Sequence, residues 1–370
     1  MKNFFKEHGE LLGFALLLAL LPLVCCVVHC GLQGYSLLDV YLPSGEWNDE
    51  LFYFKQVEGI LEFGYPYGYF GFNESHAEKL SFAAWSPVLV IPWVIWGLIF
   101  GWNLLSPIWC NIFLMSTAIF LFVVFAKPKK QQMIVLSVLY CLFPMFTRYI
   151  LSGMPEIICF SVVIVFYGLA VSYLKEEPTK SKLIWLFVLS ACMTLMRPYL
   201  LLMMFLPALF WIQRSRKWWS IVGSLAIMLG CFGAYAWIHT QLGAEYLEPL
   251  FSVDWLTVML EEGFFKGLKF VLYTMTDKGM QFVRASVEAF VSGYSYGIFF
   301  AVFMVAFVLL TIQLIQNIRQ KDKTEGIIFG HAVFSFLGML GALLLMYLLH
   351  DGKRHLMTFV AVAIFLISIA

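Results

Sequence analysis

The chain has 370 residues, 61% of them hydrophobic and 13% charged, with a formal net charge of +1 at pH 7. A mean hydropathy of +0.84 excludes a soluble domain, which is normally about 45–50% apolar. The near-neutral charge and the absence of a basic domain exclude nucleic acid as a partner.

The chain therefore reads as an all-α, polytopic transmembrane protein forming one domain over residues 1–370. Its long apolar runs approach the roughly 20 residues of a spanning helix. In lipid, backbone polar groups must be satisfied internally, which makes such runs helices. The first, residues 11–30 ("LLGFALLLALLPLVCCVVHC"), is longer than a secretory h-region and is followed by no small-residue cleavage site. It predicts a retained span with Lys2 and Lys6 on the cytoplasmic side.

Residues 31–82 follow as a polar, aromatic and glycine-rich segment. Further apolar segments cover 83–101, 106–126, 132–150, 155–174, 183–196, 199–213 and 219–240, then 297–318, 327–349 and 356–370, giving about 10–11 in all. Between the last two groups, residues 241–296 hold short apolar runs broken by charges, the pattern of amphipathic helices lying in the membrane interface.

Four basic clusters, "KPKK" (127–130), "KEEPTKSK" (175–182), "QRSRKWW" (213–219) and "RQKDK" (319–323), fall at alternate junctions. The positive-inside rule makes these cytoplasmic and places 31–82, "RYILSGMPE", Arg197-Pro198, 241–296 and "HDGKRH" on the outer face. This needs an odd number of crossings between residues 82 and 127. Segment 83–101, with Pro87 and Pro92, is accordingly expected to be re-entrant or interfacial; the alternative is that "KPKK" violates the rule. The eight cysteines lie in or beside apolar runs without a C-x-x-C pair, so they read as packing residues.

Candidate chemistry sits in four places. Asp49 and Glu50, in "SGEWNDELFYFKQ", form a carboxylate pair among aromatics, suited to taking a proton from a hydroxyl or holding a cation; a hydrated loop is the alternative. Glu156 opens an apolar run one residue after a proline, where it is either functional or stabilised by the helix dipole, with Arg148 a candidate partner. Arg197 stands between two apolar runs, to bind an anionic headgroup or to snorkel. In "HDGKRH", His350, Lys353, Arg354 and His355 offer a phosphate or pyrophosphate site, or form a plain charged turn. Lys266 and Lys269, three apart, would touch lipid headgroups or substrate. "NES" at Asn73 fits a glycosylation sequon. Nucleotide-binding and hydrolase fingerprints are missing, so ATP-driven transport and hydrolysis gain no support.

A first span, a long loop bearing "NDE" (48–50), then "TRYILSGMPE" and "MRPYL", resembles the GT-C superfamily of integral-membrane glycosyltransferases, in its bacterial mannosyl-, arabinosyl- and galacturonosyltransferase-like branch. The resemblance covers most of the chain as a layout. It implies a bacterial plasma-membrane enzyme that transfers a sugar, with inversion, from a polyprenyl-phosphate donor to a glycan, lipid or protein acceptor on the outer face. Asp49 would be the general base, Glu50 or Glu156 its helper, and Arg197, Lys353 and Arg354 would neutralise the leaving phosphate. Part of that family uses a divalent ion; no D-x-D occurs in the first loop here, which favours no metal and no cofactor. The "HPP" or "YPP" signature of many relatives is replaced by Tyr65-Pro66-Tyr67. Two other functions compete: a polysaccharide polymerase or ligase working on lipid-linked glycans, and a lipid or glycan flippase.

Overall fold

The computed structural model describes residues 2–44, 49–68, 78–79, 82, 85–243, 251–292, 295–320, 323–347 and 353–370. The chain divides into two compact units, Met1–Leu247 with Ile364–Ala370, and Glu248–Ala363. The sequence shows no boundary there, since no linker composition marks it. Among the described residues, six helices are long and apolar enough to cross a membrane: Gly9–Leu32, Ser106–Ala126, Glu156–Lys175, Trp218–Leu242, Ala301–Arg319 and Glu325–Leu345. The chain is thus an all-helical integral membrane protein by length and composition of its helices, with a single two-residue strand pair among the described residues.

The first unit opens with α1 (Lys2–Ala19) and α2 (Leu21–Leu32), interrupted only at Leu20. There Val24 still donates to the Leu20 carbonyl at 2.9 Å, so the two run almost as one helix. A short 3-10 turn (Leu37–Asp39) leads to α3 (Glu50–Phe63), the antiparallel pair β1 (Tyr67–Gly68) and β2 (Glu78–Lys79), and a second 3-10 turn (Pro87–Val90). Then come α4 (Ile91–Phe100), α5 (Ser106–Ala126), α6 (Lys130–Leu142), α7 (Met145–Ile150), α8 (Glu156–Lys175) and α9 (Lys180–Met196). A 3-10 stretch (Pro198–Met204) runs into α10 (Phe205–Ser215), and α11 (Trp218–Leu242) completes the unit.

Helix α8 is its core. It is apolar all round, and almost all of its length is buried, as expected of a helix enclosed by others. Gly168 permits the closest approach: a Cβ there would stand 3.0 Å from the Cα of Phe122 on α5. The return from α5 to α8 is one apolar segment in the sequence but two helices in the structure. Pro144 lacks an N–H to continue α6, so the chain breaks and restarts as α7.

Helices α5 and α8 run parallel. Asn111, near the start of α5, reaches carbonyls just before α8, while Lys127, at the end of α5, pairs with Glu176 at the end of α8. Twenty residues of α8 rise about 30 Å, so these are opposite ends of a bilayer-thick unit. The basic end also gathers Lys182 on Glu176, Lys130 on Glu10, and Arg214 on the Pro178 carbonyl. Three of the four basic clusters therefore share one end. Helix α4 has only ten residues, about 15 Å, half the hydrocarbon thickness. The Leu42 N–H donates to the Leu104 carbonyl at 3.4 Å, so the stretch from α2 to α5 starts and finishes at one end.

The second unit comprises α12 (Asp254–Glu261), α13 (Phe264–Val291), α14 (Ser295–Arg319), α15 (Lys323–Leu345) and most of α16 (Lys353–Ser368). Phe336 on α15 stacks on Phe303 at 4.3 Å, joining α14 and α15 into a hairpin. The last turn of α16 belongs to the first unit, where Phe365 packs edge-on against Phe122 at 5.0 Å. Helix α13 has 28 residues and charges throughout, and leaves Phe265, Leu272, Val283 and Phe290 exposed along one side. Two amphipathic helices, α12 and α13, thus lie within the charge-broken segment 241–296.

Candidate functional site

The acidic motif becomes the start of α3. Asp49 is its N-cap residue, half-buried, with helical φ and ψ. Glu50 is fully buried, and its carboxylate accepts from both the backbone N–H and the hydroxyl of Ser44. Glu50 is thereby a clamp that closes the loop in front of the helix. The body of α3 is fixed from the other side: Trp102 stacks on Phe54 at 5.1 Å and donates its indole N–H to the Phe54 carbonyl at 3.2 Å.

The "ILSGMPE" turn is held from α5. Asn111 is fully buried; its amide N–H₂ points at the carbonyls of Tyr149, Ile150 and Ser152 at 3.4, 3.3 and 3.2 Å, and its Oδ1 accepts from the Trp93 indole at 3.0 Å. Ser152 closes the turn internally, donating to the Tyr149 carbonyl at 2.9 Å. Gly153 then meets the acidic motif. A Cβ on Gly153 would lie 3.1 Å from the Glu50 Cβ and 3.3 Å from its carbonyl oxygen. The two motifs, a hundred residues apart in the chain, are in van der Waals contact.

Three residues beyond Gly153, Glu156 opens α8 with no exposed surface. Its Oε1 accepts from the Arg197 guanidinium at 2.8 Å. Arg197 is also fully buried and ends α9 in an extended conformation (φ −148°, ψ 121°), because Pro198 cannot continue the helix. Its second nitrogen donates to the Tyr199 hydroxyl at 3.0 Å, and Trp85 lies under it at 5.0 Å from the ring centre. Trp85 in turn meets Tyr199 edge-on at 6.0 Å. Tyr53 on α3 and Tyr235 on α11 lie within electrostatic reach of the same guanidinium. The result is a dry, aromatic-walled ion pair at the end of the unit opposite the lysines. A carboxylate at α8's first residue also faces that helix's positive dipole end.

Arg197 is thus neither snorkelling nor open to solvent. It has an internal counter-charge in Glu156, and a phosphate would have to compete with that carboxylate for it. Arg148 is half-buried on α7. In the second unit, His355 departs from the sequence expectation of an open basic turn. It lies within α16, fully buried, with Nε2 3.2 Å from the Tyr347 hydroxyl, because the helix has already begun at Lys353. Arg354 beside it is half-buried. Lys266 and Lys269 are exposed on α13, Lys266 pairing with Glu262 one turn back at 3.4 Å. His350, Glu46, Asn73 and the Lys353 side chain lie outside the described residues. Among the described residues no three His, Cys, Asp or Glu side chains are grouped to hold a metal ion.

The residues missed from sequence are the supports: Ser44, Tyr53, Trp85, Asn111 and Tyr199. Asn111 carried a signal, as a solitary amide inside the apolar run "SPIWCNIFLMS", since polar groups within spans are expensive. Compared with protein-family models, with curated proteins and with solved structures, the chain matches none.

Proposed function

We propose that this protein is a membrane transferase that moves a sugar from a polyprenyl-phosphate carrier to a hydroxyl acceptor at the Asp49–Glu156 end of the first unit, the GT-C-like reaction implied by its layout. One observation carries the reading. Gly153 locks the acidic start of α3 against the turn that presents Glu156, which brings together two of the three motifs on which the resemblance rests. The positive-inside rule supports assigning that end to the outer face, because three basic clusters share the other.

The roles divide by surroundings. Glu50 is committed to Ser44 and Glu156 to Arg197, so both hold the architecture. Asp49, half-buried at the rim, is the general base. It takes the proton from the acceptor hydroxyl as that oxygen bonds to the anomeric carbon from the face opposite the phosphate. The bond from that carbon to the phosphate oxygen breaks, the electron pair leaves with the lipid phosphate, and the anomeric centre inverts.

The test is Asp49→Asn, purified in detergent and given a polyprenyl-phosphate sugar with an acceptor. Wild-type protein should turn over without a sealed compartment, and the variant should lose at least a hundredfold in rate with an unchanged melting temperature. Full activity in the variant removes Asp49 as base. Failure of wild type across lipid-linked sugars removes the transferase reading.

A further inference from the structure

Gln56 stands out among the buried polar groups. It has no exposed surface, and among the described residues neither its Oε1 nor its Nε2 finds a hydrogen-bond partner. Burying an amide with both ends unmet is unfavourable, and native proteins rarely keep one without use. Its place in the fold suggests the use. Glu50, Tyr53 and Gln56 succeed one another at three-residue spacing on α3, so they form one buried polar stripe along that helix. Glu50 anchors the loop at its start, and Tyr53 lies within electrostatic reach of Arg197. Gln56 continues the stripe one turn further, and of the three it alone meets no hydrogen-bonding or charged group among the described residues.

We infer that the Gln56 amide binds the hydroxyls of the sugar ring and selects the sugar. This rests on the transferase reading and deepens it. The chemistry of the group decides between the two halves of a lipid-phosphate sugar. A phosphate only accepts hydrogen bonds and would leave Oε1 facing an anion. A sugar hydroxyl both donates and accepts, so two neighbouring hydroxyls satisfy Nε2 and Oε1 together. A site built to meet hydroxyls discriminates strongly against an analogue lacking one, because its own polar atoms are then left unpaired.

The experiment uses the full chain in detergent, wild type against Gln56→Met, which keeps the volume and removes both polar atoms. The probes are a polyprenyl-phosphate sugar and its deoxy analogues. In the absence of ligand the variant should melt at the wild-type temperature or above it, since an unmet amide has been removed. Its KM for the sugar donor should rise about tenfold, and discrimination against a deoxy donor should vanish. A variant that keeps wild-type KM and discrimination overturns the inference. So does one that melts well below wild type, because the amide then serves the fold. If wild type binds the lipid-linked sugar, seen as a raised melting temperature, but does not turn it over, the transferase reading falls. The inference then stands only if Gln56→Met abolishes that rise. If wild type neither binds nor turns over lipid-linked sugars, both fall.

Discussion

Breaking the Glu156–Arg197 pair from either side should give two different pH dependences. Both side chains are fully buried, so removing one leaves an uncompensated charge, which costs about 3–5 kcal/mol for a buried pair. Glu156→Gln leaves a guanidinium that cannot lose its proton, so its penalty should stay flat from pH 8 to 5. Arg197→Met leaves a carboxylate that can neutralise itself by taking a proton. Its penalty should therefore shrink as pH falls, approaching a remainder of about 1–3 kcal/mol from the lost Tyr199 hydrogen bond and the Trp85 contact. The double variant Glu156→Leu/Arg197→Met removes both charges and should be less damaged than either single one, as for other buried pairs exchanged for apolar residues. Unfolding by SDS titration in mixed micelles at several pH values, arranged as a double-mutant cycle, reads all three. Additive single effects, each below about 1 kcal/mol as for exposed pairs, would refute the reasoning, because they would mean that water reaches the pair. Parallel pH profiles for the two single variants would refute it as well.

Other consequences concern the supports. Asn111→Leu should destabilise by about 2–4 kcal/mol, since it strands the Trp93 indole and the carbonyls of the 149–152 turn without a donor or acceptor; an effect under 1 kcal/mol in the same titration would contradict that. Gly153→Ala should lower transfer activity about tenfold while costing only about 1–2 kcal/mol, because Leu42 can yield but the Glu50 carbonyl, 3.3 Å from the new Cβ, cannot. Equal activity would show that contact between the motifs is incidental. At the basic end, hydrogen bonds from Lys127 and then Lys182 hold Glu176 down to about 2. Its folded value lies below its unfolded one, so this stabilisation is complete above about pH 4.5 and is lost as pH falls toward 2. Glu176→Gln should flatten the acid limb of the stability profile there and leave the profile above pH 5 parallel to wild type.

The elements were legible in the sequence where a long apolar run met a clear boundary. Helix α5 follows the predicted segment residue for residue, and α8 differs by one. In segment 83–101, Pro87 and Pro92, the basis for expecting a re-entrant or interfacial helix, confine regular helix to ten residues after a 3-10 turn. Legibility failed where hydropathy alone had to decide. Segment 132–150 hides a break because Pro144 acts on hydrogen bonding and not on hydropathy. The division into two units left no trace in composition. The site was legible as a set of residue types and illegible as a set of contacts: Glu50 as a clamp and Gln56 as an unmet amide are properties of burial.

The partnership of Glu156 with Arg197 shows which information was missing and which was present. Proximity in sequence directs attention to Arg148, eight residues from Glu156. Helix geometry directs it elsewhere. Helices α8 and α9 are consecutive, joined through the short stretch after Lys175, and an antiparallel hairpin aligns residues equally distant from its turn. Glu156 lies 19 residues before the end of α8 at Lys175 and Arg197 lies 17 after the start of α9 at Lys180, so the hairpin brings them to nearly the same level. The same turn carries Glu176 with Lys127 and Lys182 at the opposite level. A single hairpin thus sets both ends of the unit. Its turn carries Glu176 with Lys127 and Lys182, and its open end is closed by an ion pair. That pair costs stability to bury and so demands a dry aromatic enclosure around it. The enclosure built for the pair also brings Arg197 within electrostatic reach of Tyr53, on the helix that Asp49 opens.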